Sequence, residues 1–214
     1  MRGVAVFLTT LFSLLLASAA IAESGPDDVI HDAVERMTQR IDAERARIDK
    51  EPDYARRMVD EELDGLVDFR RITRAVMGEH FAAANREQRN GFLEAFRSSL
   101  MNTYATGITM YEGQRWQILP LGEGDLRGDR ARVQMEIRTE GGQRIPIVYT
   151  LFLADEQWRV DNVIVNGLNL GRVFRAQFAQ AMQQHGGDID KVIATWSAEV
   201  PVEREELIED TEEA

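Results

Sequence analysis

The chain has 214 residues, 44% of them hydrophobic and 29% charged, which is typical of a globular protein with one ordinary domain or two small ones. Its formal net charge of -12 argues against a nucleic-acid partner, because phosphate binding needs a basic face. The absence of cysteine excludes disulfides, thiolate metal sites, cysteine catalysis and a lipid-modified N-terminal cysteine.

The N-terminus has the pattern of a secretory signal peptide. Arg2 precedes an apolar stretch at residues 4–16, and Ala20-Ile21-Ala22 forms an A-x-A cleavage site. An uncleaved anchor is the alternative, because residues 3–22 are uncharged and have about the 20 residues that a membrane span needs. The serines and threonines in this stretch and the small residues at its end favour cleavage. We predict a signal peptide at residues 1–22 and an exported protein.

Apolar residues at helical spacing predict three helices, at residues 26–50, 54–67 and 69–77. The sequence Glu51-Pro52-Asp53 separates the first two, and Gly78 is a good residue for the end of the third. A longer helix follows, for which Asn85 and Gln88 form a capping box. Its inward stripe contains large residues, some of them aromatic, and plain core packing is the commoner explanation of such a stripe. These residues are Phe92, Phe96, Leu100, Tyr104, Ile108 and then Tyr111.

Alternating hydrophobicity predicts four strands, at residues 114–120, 131–139, 144–154 and 158–165. Short turns at Gly141-Gly142 and Asp155-Glu156 make the last three strands an antiparallel meander. Helices followed by a strand meander indicate an α+β fold with a four-stranded antiparallel sheet. Strand 144–154 is nearly apolar on both sides, so we expect both of its faces to be covered.

A sharp corner follows the fourth strand at Asn166-Gly167-Leu168-Asn169. Gly167 suits a tight turn, and Asn169 suits the cap of a helix that runs to residue 185. Asp188 is predicted to cap a last helix. We predict that residues 23–200 form a single domain. Residues 203–213 then carry seven acids against Arg204, and we predict that 201–214 is an acidic, solvated and disordered tail.

No residue pattern points to catalysis or to a metal. His31, His80 and His185 lie on separate elements, and we find no carboxylate or second histidine at ligand spacing from them. The HExxH, GxSxG, P-loop and GxGxxG motifs are absent. An acid/base set of Tyr104, Tyr149, Asp161 and Glu136 inside a pocket is conceivable, but their spacing does not require it. The sequence therefore predicts neither an enzyme nor a metal site.

Two blocks of sequence resemble the MlaC-type periplasmic phospholipid-transport proteins, also called the toluene-tolerance family. The first matches the pattern W-x-V-x-D-V-x-V-x-G-V-S-L followed by a helix, and here consists of Trp158, Val160, Val163, Val165, Gly167, Leu168, Asn169 and Leu170. The second consists of Ala75-Val76-Met77-Gly78, Gln88-Arg89, Phe92, Phe96, Leu100, Tyr104 and Tyr111-Glu112-Gly113-Gln114. The order and spacing run from the signal peptide to the last helix.

The chain departs from the family pattern at four places. Asn169 replaces a serine, which keeps a capping residue, and Leu168 replaces a valine. His80-Phe81 stands where the family has an aromatic pair. Val148 stands where some relatives carry a basic residue near the pocket mouth, which puts a headgroup contact at this position in doubt. Arg144 or Arg89 could supply that contact instead.

The resemblance implies a helix-covered sheet that encloses an apolar pocket, as in nuclear-transport-factor-like or cystatin-like folds. It implies a soluble periplasmic carrier, without a cofactor, that holds phospholipid acyl chains as cargo and helps to maintain outer-membrane lipid asymmetry. The implied partners are an inner-membrane ABC transporter with a periplasmic substrate-binding ring and an outer-membrane lipoprotein–porin complex. A carrier is needed because about 30 exposed methylenes would cost roughly 24 kcal/mol in water.

The walls of such a pocket would come from the long helix, one sheet face and the corner. We predict as lipid-binding residues Phe96, Leu100, Tyr104, Ile108, Val133, Met135, Ile137, Tyr149, Leu151, Val165, Leu168 and Leu170. For each of them the alternative is ordinary core, since strand parity does not determine which sheet face lines the pocket. Two other functions stay open: an isomerase-like enzyme with buried, perturbed carboxylates, and a periplasmic chaperone or adaptor with an exposed apolar groove.

Overall fold

The computed structural model describes residues 24–139 and 141–200. The predicted signal peptide (1–22) and acidic tail (201–214) lie outside the described residues, so both stay predictions. The elements are α1 (Pro26–Ile48), α2 (Pro52–Leu63), α3 (Phe69–Met77), α4 (His80–Ala83), α5 (Arg86–Thr109), β1 (Arg115–Ile118), β2 (Leu126–Arg127), β3 (Arg130–Arg138), β4 (Arg144–Ala154), β5 (Gln157–Val165), β6 (Leu168–Asn169), α6 (Leu170–Gln184) and α7 (Ile189–Thr195). None of the described helices is long and apolar enough to cross a membrane.

Side-chain caps fix the starts of four helices. Asn85 and Gln88 form the predicted capping box of α5, in which the Asn85 side chain accepts from the Gln88 amide at 2.9 Å and the Gln88 side chain accepts from the Asn85 amide at 3.1 Å. Asp68, Asn169 and Asp188 cap α3, α6 and α7 by accepting from backbone amides at 2.9, 3.1 and 3.2 Å. The caps predicted for α5, α6 and α7 are therefore confirmed.

Helix α2 ends at Leu63, whereas the sequence predicted a helix over residues 54–67 that Gly65 ends or bends. Gly65 adopts a left-handed φ of +77°, and the chain then runs beside β5. The Val160 amide donates to Leu66 O at 2.8 Å, and the Asp68 amide donates to Val160 O at 3.0 Å. Pairing with a distant strand thus ends the helix early. The short helix α4 was also not predicted.

The sheet is antiparallel throughout, in the order β1-β3-β4-β5-β6, with β2 also paired to β3. The predicted α+β fold and all four predicted strands are confirmed. The sheet nevertheless has six strands in the described chain. The sequence analysis missed β2 and β6 because each has only two residues, which is too short for alternating hydrophobicity to be recognised. At the predicted corner, Asn166 and Gly167 take φ values of +47° and +81°, so the chain pairs back as β6 before α6 begins.

The strand register puts one apolar face of the sheet toward the helices. The rows across β3, β4 and β5 on this inner face are Met135–Ile147–Val165, Val133–Tyr149–Val163 and Ala131–Leu151–Val160. On the outer face of β4, Pro146 is exposed, Val148 is half-buried, and Phe152 is buried with the Arg71 guanidinium 4.1 Å from its ring centre. The expectation that both faces of β4 are covered is therefore wrong for most of its outer face.

The main core lies between α5, α6 and the C-terminal segment. Phe92 and Phe178 meet edge to face at 4.6 Å between ring centres, as do Phe96 and Phe174 at 5.3 Å. Trp196 closes the cluster, with its ring 4.9 Å from that of Phe92. A smaller core joins α1 to the inner sheet face through Ile30, Ala131, Val133, Leu151 and Val160. These two cores flank the space in which the cavity lies.

Candidate functional site

A cavity of about 410 Å³ separates the helices from the inner face of the sheet. This volume falls in the range of roughly 300–1,000 Å³ that is usual for ligand sites. Helices α1, α2, α3, α5 and α6 form one side, and β1, β3, β4 and β5 form the other. Almost every side chain in the wall is apolar, so the space suits a hydrocarbon ligand.

Nine of the twelve predicted lipid-binding residues line this cavity. They are Phe96, Leu100, Tyr104, Ile108, Met135, Ile137, Tyr149, Val165 and Leu170. Their role in binding a lipid stays a prediction, but the structure brings them together from three separate stretches of the chain. The face of the sheet that the helices cover is the one on which Met135, Ile137 and Tyr149 lie.

The other three predicted residues do not line the cavity. Val133 and Leu151 are fully buried in the smaller core between α1 and the sheet. Leu168 is half-buried on β6 and packs against the main core. All three follow the ordinary-core alternative, because strand alternation identifies a face and gives no depth along it.

The sequence analysis missed the contribution of the N-terminal half. The stripe of α1 that we read only as a helical face lines the cavity with Ile30, Ala33, Val34, Met37, Thr38 and Ile41. Trp116 of β1 and Ile147 of β4 also belong to the wall. The periodicity of α1 was a usable signal, but nothing in it shows which partner the stripe faces.

Neither predicted headgroup residue lies in the cavity wall. Arg89, near the start of α5, donates to Phe81 O at 2.9 Å and to Ala82 O at 3.3 Å. It is 15 residues before Tyr104, or about 22 Å along a helix. Arg144 is on the outer face of β4, 3.8 Å from Glu136. Helix length and strand parity therefore direct both guanidinium groups away from the cavity.

Of the large α5 side chains that line the cavity, Tyr104 is the most exposed. The exposed fraction rises from 0% for Phe96 to 7% for Leu100 and 41% for Tyr104. Burial nevertheless raises the pKa of Tyr104, because the exposed part of this side chain faces a narrow apolar cavity and not bulk water.

Tyr149 faces Tyr104 across this space from the sheet. Burial raises the pKa of Tyr149 well above its ordinary value, and the nearby Tyr104 raises it further. Both hydroxyls are therefore protonated at neutral pH. They can donate hydrogen bonds and carry no charge into the cavity.

Asp161 is the one acidic residue in the cavity wall of the described chain, and its carboxylate lies toward the outer face of the sheet. A β-bulge gives β5 an extra residue at Asp161, next to the shift in register at Thr150 and Leu151. The Asp161 carboxylate accepts from the Thr150 hydroxyl at 2.7 Å, from Arg71 at 3.1 Å and from Arg130 at 2.8 Å. Among the described lining residues there is no lysine or arginine.

We expect Asp161→Asn to lower the free energy of unfolding by about 1.5–3 kcal/mol, because it removes two charge-assisted hydrogen bonds that link α3 and β3 to β5. Urea unfolding followed by circular dichroism measures this change. Asp155→Asn, in the exposed β4–β5 turn, is the matched control and should change stability by less than about 0.5 kcal/mol. Equal stability of the two variants would contradict the assigned role of Asp161.

One histidine departs from our expectation for metal ligands. His31 Nδ1 lies 3.6 Å from Asp32 and 3.9 Å from Glu35, so the statement that no carboxylate stands at ligand spacing is wrong for this residue. All three side chains are exposed in the first half of α1, where acidic residues favour a helix N-terminal region. We assign no metal to this group.

Comparison with known proteins identifies the family of this chain. The family model described as MlaC protein matches residues 31–198, which is most of the chain and includes every described cavity-lining residue except Ile30. The chain belongs to the MlaC family. The resemblance drawn from the sequence blocks is therefore confirmed.

Two relatives support the MlaC assignment. The toluene tolerance protein ttg2D of Pseudomonas putida is 34% identical over 200 residues, which cover 93% of this chain and 90% of the relative. The intermembrane phospholipid transport system binding protein MlaC of Haemophilus influenzae is 26% identical over 167 residues, which cover 77% of each chain.

A solved structure shares the MlaC fold. The phospholipid-binding protein from Ralstonia solanacearum, determined in complex with a phospholipid, matches with a TM-score of 0.72 and 21% identity. The match covers 79% of this chain and 93% of that one. At this identity the likeness establishes the shared fold.

Proposed function

We propose that this MlaC-family protein is a phospholipid carrier whose cavity holds the acyl chains. The observation that supports this most directly is the apolar cavity of about 410 Å³. In this proposal its closed end is near the fully buried Phe96, and its open end is on the side of Tyr104. A chain in such a cavity recovers about 0.8 kcal/mol for each methylene removed from water. The relatives named for phospholipid transport, and the related fold solved with a phospholipid, support the same ligand.

The headgroup stays at the open end of the cavity in this proposal. A phosphate carried into the closed end would lose its hydration and meet no lysine or arginine among the described lining residues. The protein therefore recognises lipid chiefly by its chains.

The cellular role that we propose is lipid movement between two membranes. The predicted signal peptide and the family both support a periplasmic location. An inner-membrane ABC transporter with a periplasmic substrate-binding ring and an outer-membrane lipoprotein–porin complex would be the partners between which lipid passes. Transport of this kind maintains the lipid asymmetry of the outer membrane.

Carriage requires no chemical step. Asp161 is the one acidic residue in the described cavity wall, and its carboxylate is bonded to Arg71, Arg130 and Thr150, which indicates a structural role and not proton transfer. The cavity lies between layers of the fold, whereas a chaperone needs an exposed apolar groove. We therefore favour the carrier over the enzyme and chaperone alternatives.

Native mass spectrometry of the protein purified from its periplasm, with lipid extraction from the same sample, tests this proposal. The expected result is one or two diacyl phospholipids per chain that survive purification. An unrelated periplasmic protein purified in parallel controls for carry-over. A folded protein that carries no phospholipid, and that takes up none from vesicles of phosphatidylethanolamine and phosphatidylglycerol, would refute the carrier.

A further inference from the structure

Two tyrosine hydroxyls face the cavity without a protein partner. Within the part of the chain that the structure describes, neither Tyr104 nor Tyr149 makes a hydrogen bond through its hydroxyl, although both side chains line the wall. The hydroxyl of Tyr54, outside the cavity, by contrast donates to the Glu44 carboxylate. Packing alone does not account for this arrangement, since phenylalanine would fill the same wall without an unpaired donor.

The two tyrosines occupy the same depth in the cavity. On α5, Tyr104 lies one turn toward the open end from Leu100. On β4, Tyr149 lies between the fully buried Leu151 and the half-buried Ile147. Both side chains therefore line the same cavity next to buried apolar residues, on two walls that face each other across the ligand space.

The wall residues around the Tyr104 and Tyr149 hydroxyls favour an uncharged hydrogen-bond acceptor on the ligand. The neighbouring wall residues, such as Leu100, Ile108 and Ile137, are apolar, and no described lining residue is a cation that could neutralise a phosphate. An anion at this depth would be desolvated without a counter-charge. A carbonyl oxygen, which is neutral and accepts well, fits two phenolic donors.

We propose that Tyr104 and Tyr149 donate hydrogen bonds to the ester carbonyl oxygens that join the acyl chains to the glycerol of a bound phospholipid. The inference rests on the proposed carrier function and adds the chemical group that is recognised. Ester carbonyls lie between the headgroup and the hydrocarbon chains, as the two tyrosines in this proposal lie between the open and closed ends. The cavity therefore discriminates ester-linked from ether-linked phospholipids.

The test compares two lipids that differ only in these carbonyl groups. Delipidated wild-type protein and the variants Tyr104→Phe, Tyr149→Phe and the double variant are titrated with dioleoyl-phosphatidylethanolamine and with its dialkyl ether analogue, in competition with a fluorescent phospholipid. We expect each single variant to bind the ester lipid about threefold to tenfold more weakly than wild type. The ether lipid should bind the phenylalanine variants at least as tightly as it binds wild type, because no hydrogen bond to a carbonyl is lost.

The control Tyr54→Phe removes a hydroxyl that lies outside the cavity, and it should leave the ratio of ester to ether affinity unchanged. Equal losses for both lipids in the phenylalanine variants would overturn the inference, and so would the absence of any loss. If wild type bound neither lipid, the carrier function itself would fail. Should Tyr149→Phe not fold, Tyr104→Phe still decides, because the exposed side chain of Tyr104 makes folding less sensitive to its change.

Discussion

The variant Tyr104→Glu should purify without phospholipid and bind it at least about a hundredfold more weakly than wild type. The replacement puts a carboxylate in the apolar wall, where acyl chains would strip its hydration, at a cost of several kcal/mol. The fold should persist, because 41% of the Tyr104 side chain is accessible and the shorter glutamate can be hydrated while the cavity is empty. Native mass spectrometry gives lipid occupancy, and thermal unfolding reports the fold.

The matched control for this prediction is Asn102→Glu. Asn102 is exposed, lies on the same helix and is not part of the cavity wall, so this variant adds the same charge on the outer side of α5. It should retain its lipid. Loss of lipid in both variants would point to a general charge effect, and retained lipid in Tyr104→Glu would show that acyl chains do not reach this part of the cavity.

The largest loss of stability should follow from Phe178→Ala, which we expect to lower the free energy of unfolding by about 3–5 kcal/mol. Phe178 is fully buried on α6, and its ring contacts those of Phe92 and Trp196 at 4.6 and 6.0 Å between centres. Truncation to alanine leaves a cavity among rigid aromatic rings, which cannot move far enough to fill it. Urea unfolding of delipidated protein measures the effect without a contribution from bound lipid.

Met110→Ala is the control for this truncation, because Met110 is an exposed large side chain at the end of α5. Its expected change in stability is within about 0.5 kcal/mol of zero. A loss below about 1 kcal/mol for Phe178→Ala would mean that the helices α5, α6 and α7 are not held together by the aromatic cluster. A loss of lipid binding without a loss of stability would instead place Phe178 at the cavity.

Local sequence was sufficient where the physical cause is local. The capping boxes and caps at Asn85, Asn169 and Asp188 satisfy amides within three residues, so a short window of sequence contains the whole interaction. The same holds for strand alternation, which placed Met135, Ile137 and Tyr149 on one face. Of the predicted wall, the part on α5 was obtained from the helical period alone.

Those patterns did not predict whether an inward-facing residue lies in the core or at the cavity, or which element packs against it. Val133 and Met135 have the same parity on β3, yet Val133 packs in core and Met135 lines the cavity. Arg89 and Arg144 were proposed for the mouth because of their charge, whereas their positions on α5 and β4 direct them elsewhere. Such differences depend on which element lies opposite, which a single strand or helix does not encode.

The sequence by itself determined the α+β class, the order of the main helices and strands, the capped helix starts and the family. These follow from periodicity, turn residues and the two family blocks, all of which are local in the chain. The tertiary structure alone decided that α1 completes the cavity, that α2 stops at Leu63 to let Leu66 pair with Val160, and that β5 bulges at Asp161. The physical reason is that a cavity is the space between segments that are far apart in the sequence. Its walls therefore depend on how those segments pack in three dimensions.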